Sequence, residues 1–193
     1  MGTDKALLQW PPGALGQTFL SAAIESLNDF SDMVIVVAGK NASNLAAVVY
    51  ANAAFLVSNP APERGQFSSL QIGLQEVLNR GRDAAIITLV DRPPVVPSTL
   101  QTLCQAFAAR PHDKWSIVPE YRGKHGHPFF IGREMIHAFS TAPPTANAQE
   151  IEHQHQRHIE YVAVDDPLVT LNVDTPEDYA ALSSSAPPIP KVF

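Results

Sequence analysis

The chain carries a single cysteine, Cys104, among its 193 residues. That excludes an internal disulfide and fits a reducing compartment, so the expected location is cytoplasmic. Long hydrophobic runs are also lacking, and none approaches the ~18 residues of a membrane helix. The amino end has no basic segment leading into an apolar stretch, which argues against a secretory signal. Positive charge is sparse: 13 Lys and Arg stand against 19 Asp and Glu, for a net charge of -6. The nearest thing to a basic group is Arg122, Lys124 and Arg133. A nucleic-acid surface needs clustered Lys and Arg. The composition therefore points away from nucleic acid and membrane, towards small-molecule or protein partners.

What is present is an alternation of apolar runs and helical periodicities, the pattern of a layered α/β domain. Leu20, Ile24 and Leu27 share one helical face within residues 14–28. Residues 33–38 (MVIVVA) and 84–90 (AAIITLV) read as buried parallel strands. Between them lie a helix at 41–50, a strand at 54–58 and a helix carrying Leu70, Leu74, Val77 and Leu78. A further helix carries Leu100, Leu103, Cys104 and Phe107. The second half predicts strands at 115–119, 129–131, 159–164 and 168–173, with short helices at 133–139 and 149–158. No linker divides the chain, so residues 1–193 are expected to form one domain. A doubly wound pattern that opens on a helix is unusual, since such sheets begin with a strand.

Asp91 immediately follows an apolar strand, at the carboxyl edge where open α/β sheets bind ligands. A carboxylate there suits a Mg²⁺ that bridges phosphates, or it simply opens the turn before Pro93. Asp174 ends a second apolar run. The residues after it, Thr175 to Asp178, are explained as a helix start with a capping box, which leaves Asp174 available as a metal ligand. The segment Gly65-Gln66-Phe67-Ser68-Ser69 opens a helix, and its N–H groups and hydroxyls suit either an anion or base edge or the capping of that helix. The basic, glycine-rich loop from Tyr121 to Pro128 suits an anionic acceptor or a solvated turn. The histidines at 153, 155 and 158 lack the partners of a dedicated metal site and read as a solvated helix face.

Five stretches, in order, resemble the molybdenum-cofactor cytidylyltransferase branch of the MobA-like NTP transferases: MGTDKALL at 1–8, NPAPERGQFSSLQIGL at 59–74, VDRPPVVPSTL at 90–100, VPEYRGKHGHPFFIGRE at 118–134 and VDDPLVTLNVDTPEDY at 164–179. The resemblance implies a Rossmann-like three-layer nucleotidyltransferase fold with a mostly parallel sheet. It implies Mg²⁺-dependent transfer of CMP, or GMP, from a nucleoside triphosphate to a molybdopterin-type acceptor. The Arg-Gly-x-x-Gly-His-Pro loop favours CTP. Lys5 would neutralise a phosphate and act with Asp91 in catalysis, and Asp91 and Asp174 would hold the metal. Gly2, Lys5, Asn59, Gly65, Ser68 and Ser69 would line the nucleotide site, while Gly126, His127 and Pro128 would face the acceptor. The alternatives are a non-catalytic protein of the same fold that holds a cofactor or a molybdoenzyme client, and a transferase acting on another small phosphorylated acceptor.

The sequence departs from that pattern at Val90, where the family usually has glycine, at Arg92, usually apolar or Gln, and across residues 145–152. Met1, Gly2 and Lys5 match only the tail of the family's loop Gly-x-x-x-Arg-Met-Gly-x-x-Lys. The resemblance therefore implies a first strand and most of that loop ahead of Met1, which this chain does not contain. Such a central strand supplies on the order of 10 kcal/mol from about four buried side chains. That is comparable with the net stability of a domain, about 5–15 kcal/mol. The expectation is two inner strands with unpaired edges, and a chain that does not fold as its relatives do without compensation.

Overall fold

A computed structural model describes residues 4–13 and 15–185. Helix α1 (Phe19–Asn28) starts at Thr18, whose hydroxyl accepts the Ser21 N–H in a capping box. Strand β1 (Ile35–Ala38), helix α2 (Ala42–Ala51) and strand β2 (Phe55–Ser58) follow as a βαβ unit, and β1 and β2 pair in parallel from Ile35↔Phe55 to Ala38↔Ser58. Helix α3 (Gln66–Asn79) leads to β3 (Ala84–Ile87), and α4 (Pro97–Ala109) opens with proline at its first position. The second half contributes β4 (Ser116–Tyr121), β5 (Lys124–His125), β6 (Phe129–Gly132), α5 (Arg133–Thr141), α6 (Ala148–Gln154), β7 (Ile159–Ala163) and α7 (Pro176–Ser185).

The expectation of a mostly parallel sheet needs correction. β3 pairs antiparallel with β6, and β6 antiparallel with β4, while β7 joins the other edge of β4 in parallel. The cause is local. Residues 121–124 form a turn with Arg122 and Gly123 both at positive φ, and a turn this tight folds the chain straight back on itself. The predicted strand at 168–173 is also absent. Pro167–Thr170 forms a 3-10 turn, and residues 171–174 run on outside any strand.

Side-chain alternation along β6 sets the layers. Phe130 faces a core built from α1, α2 and α4 through Ile24, Val49, Leu100 and Leu103. Phe129 and Ile131 face the opposite core, built from α3, α5 and α6 through Leu74, Met135, Phe139 and Ile151. A smaller cluster of Phe19, Val173 and Leu182 packs against Leu8, Trp10 and Tyr179. Asp166 is buried at 3 % exposure because it accepts from Val96 N–H, the Thr99 hydroxyl and Leu168 N–H. Its carboxylate thus ties the start of α4 to the 3-10 turn.

The unpaired inner strands are found as expected. Among the described residues no strand lies between β1 and β3, and the sheet is divided into β1–β2 and a five-stranded remainder. The two parts share one layered architecture. The core of α1, α2 and α4 runs continuously from Ala38 and Leu45 to Ile117 and Phe130, and α3 packs on β1 so closely that a Cβ at Gly73 would lie 3.0 Å from Val37.

Candidate active site

Backbone pairing brings the two predicted metal ligands together. Val173 N–H donates to the Asp91 carbonyl at 2.9 Å, so the segment before Asp174 runs beside the loop that follows β3. Lys5 Nζ then forms an ion pair with Asp174 Oδ1 at 2.9 Å. Asp4, one residue earlier, accepts from Asn41 Nδ2 at 2.5 Å. The chain's first described turn therefore lies across the carboxyl ends of β1 and β3. Thr175 and Asp178 form the expected helix start: the Thr175 hydroxyl accepts Asp178 N–H, while Asp178 accepts the N–H groups of Thr175 and Asp174. Those bonds hold the Asp178 carboxyl below its ordinary range, Thr175 contributing most.

Arg92 and His127 complete the cluster. Burial pushes the Arg92 guanidinium below its ordinary value, against the opposing pull of Asp91 and then Asp174. Burial, followed by the charge of Arg92, pushes His127 down to about 4. The imidazole is therefore neutral at physiological pH. Asp91 Oδ1, Arg92 Nε and His127 Nδ1 are all buried without a hydrogen-bond partner. Buried polar atoms are normally satisfied. The three orphans lie on side chains linked through the charge of Arg92, and they are the atoms that a bound polar group would satisfy.

The depressed His127 value carries a stability signature. The unfolded imidazole takes up a proton near pH 6.5 and the folded one near 4, so the unfolded state binds more protons between those limits. Stability from this group is complete above the unfolded value and is lost as pH falls towards 4, by at most about 3 kcal/mol. Urea denaturation of the native protein and of His127→Gln at several pH values should show the native curve falling more steeply below pH ~6.5. Parallel curves would remove the assignment.

The loop that carries Gly126, His127 and Pro128 is positioned by close backbone contact. Gly126 N–H donates to Pro119 O at 3.0 Å and His127 N–H to Val169 O at 2.8 Å. A Cβ at Gly126 would lie 1.9 Å from that same Val169 oxygen. Gly126 is thus needed for the 3-10 turn to reach the loop. Pro128 is buried, and the bond joining it to His127 is cis.

The predicted nucleotide residues gather in a second group. Asn59 is buried at 4 % exposure and donates to Ser68 Oγ at 2.9 Å and Ser69 Oγ at 3.0 Å, while its own oxygen accepts Ala61 N–H. Ser68 Oγ donates to Gly65 O at 2.7 Å. Asn59 and Ser68 therefore fix the shape of the strand-to-helix turn, in which Gly65 sits at φ 88°. Gly65 and Ser69 line the cleft that Val90 and His127 also line. Among the described residues no hydrogen bond or ion pair links this group to Lys5 and Asp174. Gly2 lies outside the described residues.

Sequence reasoning noticed Arg92 only as a departure and missed its place between two carboxylates and an imidazole. Its position next to Asp91 was the one available signal. The expected solvated helix face at 149–158 is shorter than predicted: α6 ends at Gln154, and His155 and His158 pack against Trp115, His158 stacked with ring centroids 3.7 Å apart. Cys104 is partly buried and packs against the apolar core. Among the described residues no group of three or more His, Cys, Asp or Glu is arranged to hold a metal, so a cation here would draw on two carboxylates at most. That is the donor set on which Mg²⁺ relies when phosphates and water complete its shell, and the orphaned Asp91 oxygen fits it.

Asp91 in the loop after β3, Asp174 on the non-strand segment beside it, Lys5 paired with Asp174 and a glycine-opened helix turn share a layered α/β frame of the nucleotidyltransferase class. The sequence model of the MobA-like NTP transferase domain matches residues 1–159, and the chain belongs to that family. Among solved structures it is similar to Rv0371c from Mycobacterium tuberculosis H37Rv, with 27% identity, a TM-score of 0.77 and coverage of 94% of this chain and 89% of that one. The complex of Rv0371C with manganese matches at 25% identity and a TM-score of 0.74, covering 94% of this chain and 91% of that one. A nucleotidyl transferase from Methanothermobacter thermautotroptrophicus shares the fold at 20% identity and a TM-score of 0.72, covering 94% and 84%. A comparison with curated proteins returned no match. No described helix is long and apolar enough to cross a membrane.

Proposed function

We propose that the protein transfers CMP, or GMP, from a nucleoside triphosphate to a terminal phosphate of a molybdopterin-type acceptor. An acceptor oxygen bonds to the α-phosphorus, the bond from that phosphorus to the bridging oxygen breaks, and pyrophosphate leaves with the electron pair. The carrying observation is the cluster of buried, partnerless atoms on Asp91, Arg92 and His127 beside Asp174 and Lys5. Such a reaction needs alignment and charge neutralisation more than a covalent nucleophile. Asp91 and Asp174 would hold a divalent cation, Mg²⁺ in this reading, which neutralises phosphate charge when bound. The manganese complex of a relative supports a divalent ion in general terms. Lys5 exchanges its pairing with Asp174 for a phosphate. Gly65 and Ser69 present the helix opening to the nucleotide, with Asn59 and Ser68 holding its shape. Gly126, His127 and Pro128 face the acceptor, the neutral His127 ring offering a nitrogen without adding charge.

The test is pyrophosphate release from CTP and from GTP with molybdopterin and Mg²⁺. Turnover that requires both acceptor and metal supports the proposal. Hydrolysis that ignores the acceptor, or faster turnover with a different phosphorylated acceptor, would replace the molybdopterin reading. Tight acceptor binding without turnover would favour a non-catalytic carrier.

A further inference from the structure

One acid faces the cleft with no cation beside it. Glu152 stands in α6 and lines the same cleft as Gly65, Ser69, Phe129 and His127. Among the described residues no hydrogen bond or ion pair reaches its carboxylate. Its surroundings are largely apolar. Ile151, the residue before it, is buried in one cluster with Phe67 and Phe129, against which Ala148 and Tyr161 also pack. Burial alone pushes the Glu152 carboxyl above its ordinary range, since no group of the protein compensates its charge. Tyr161 is raised by its own burial and then by the Glu152 charge, yet no hydrogen bond joins the two. The other acid of the helix is already used: Glu150 accepts the Asn147 N–H, and the Asn147 side chain accepts the Glu150 N–H. Glu152 is left with two free oxygens, and a carboxylate so placed is costly until a donor meets it.

The charge of the site runs in one direction along the cleft. Lys5, Arg92 and the neutral His127 gather at the Asp91 end and suit a phosphate. No charge of that cluster contributes to the Glu152 shift, so the acid stands apart from it. A phosphate beside Glu152 would meet like charge. An acceptor lying along the cleft therefore puts its phosphate towards His127 and an uncharged, donor-bearing end towards α6. Two free carboxylate oxygens suit paired N–H donors on neighbouring atoms, the geometry by which a carboxylate takes a guanidinium. A pterin ring presents that pair in its N3–H and 2-amino groups, and guanine presents the same edge. Cytosine offers its amino group beside a ring nitrogen that accepts, so the base of CTP does not match. Phe129 favours the acceptor as the source: it follows Pro128 directly and belongs to the cluster on which α6 packs.

We infer that Glu152 selects the acceptor by its ring, taking the N3–H and 2-amino groups of a pterin on its two oxygens while the acceptor's phosphate lies at His127. The inference rests on the molybdopterin reading for the identity of the ring, and its test needs no turnover. Equilibrium dialysis of the full chain measures binding of pterin, lumazine and guanosine with no nucleotide triphosphate or metal present. Lumazine carries an oxo group in place of the 2-amino group, so it loses one donor and sets an oxygen against the carboxylate. Pterin should bind with a Kd of about 0.1 mM, about 30-fold more tightly than lumazine. Glu152→Gln puts a donor where one acceptor stood, and the preference should fall to within about threefold. Its Tm should stay level or rise, because an uncompensated charge leaves an apolar setting. Glu150→Gln still completes the capping box and should keep the preference. Equal binding of pterin and lumazine by the native chain, or a preference that survives Glu152→Gln, would overturn the inference. So would a fall in Tm of Glu152→Gln beyond about 3 °C, the mark of a structural carboxylate. Guanosine bound more tightly than pterin would also overturn it, by moving Glu152 to the nucleotide base. Failure of the reaction reading looks different. A pterin preference that depends on Glu152, without pyrophosphate release, upholds the inference and leaves the protein a carrier. Turnover on molybdopterin by a chain indifferent to the 2-amino group upholds the reaction and removes the inference.

Discussion

Asp91→Ala should lower nucleotidyl transfer by about 10³-fold while shifting Tm by no more than about 3 °C. The rate loss corresponds to about 4 kcal/mol of transition-state stabilisation. In the proposed mechanism the loss combines phosphate positioning with cation binding, for which the Asp91 Oδ1 atom, without a hydrogen-bond partner in the protein, is free. The same absence explains the small effect on folding. Removing a buried oxygen that makes no hydrogen bond leaves no donor or acceptor unpaired, and Asp174 still offsets the burial of Arg92 once Asp91 is gone. Steady-state pyrophosphate release and thermal denaturation on the same preparations separate the two effects. A variant within about threefold of the native rate would end the assignment of Asp91 to the metal. A variant that is inactive because it is unfolded would show instead that the carboxylate is structural.

The second large effect concerns stability rather than rate. Gly126→Ala should lower Tm by roughly 10 °C. The added methyl carbon would lie 1.9 Å from Val169 O and 2.5 Å from Val169 C, and both are backbone atoms that cannot rotate away. The Pro167–Thr170 turn would have to retreat, breaking the bond from His127 N–H to Val169 O. Overpacking of this kind costs about 1–3 kcal/mol, and the lost hydrogen bond adds about 1 kcal/mol. The Asp166 carboxylate holds the same turn to α4 through Thr99 and Val96, so the retreat would be felt at the helix start as well. Thermal denaturation checks the size of the effect. A shift under about 3 °C would mean that the turn moves freely, and that Gly126 is not what brings it to the loop before β6.

The effects differ because the residues sit on different links of the chain from sequence to function. Asp91 follows an apolar strand, and an acid at a strand's end is legible from composition alone. Gly126 lies inside a glycine-rich basic loop, whose composition suits an anionic acceptor and a solvated turn alike. Its main constraint is a backbone passing within contact distance, contributed by residues more than forty positions later. Likewise Asn59, Ser68 and Ser69 were legible as a polar helix opening. That Asn59 uses its amide on both hydroxyls, and so shapes the turn internally, required the fold.

By itself the sequence determined the alternation of helices and strands through α4, the capping of α7 by Thr175 and Asp178, and the placement of acids at two segment ends. These depend on near neighbours: side-chain periodicity, proline and capping geometry act within a few residues. The sense of β6 and the loss of a strand at 168–173 were decided by the tertiary structure, because pairing depends on which edges meet. The same holds for the meeting of Asp91 with Asp174, for Arg92 lying between them and His127, and for the unpaired edges of β1 and β3. Each of those joins residues far apart in the chain, through backbone bonds and burial that no local pattern encodes.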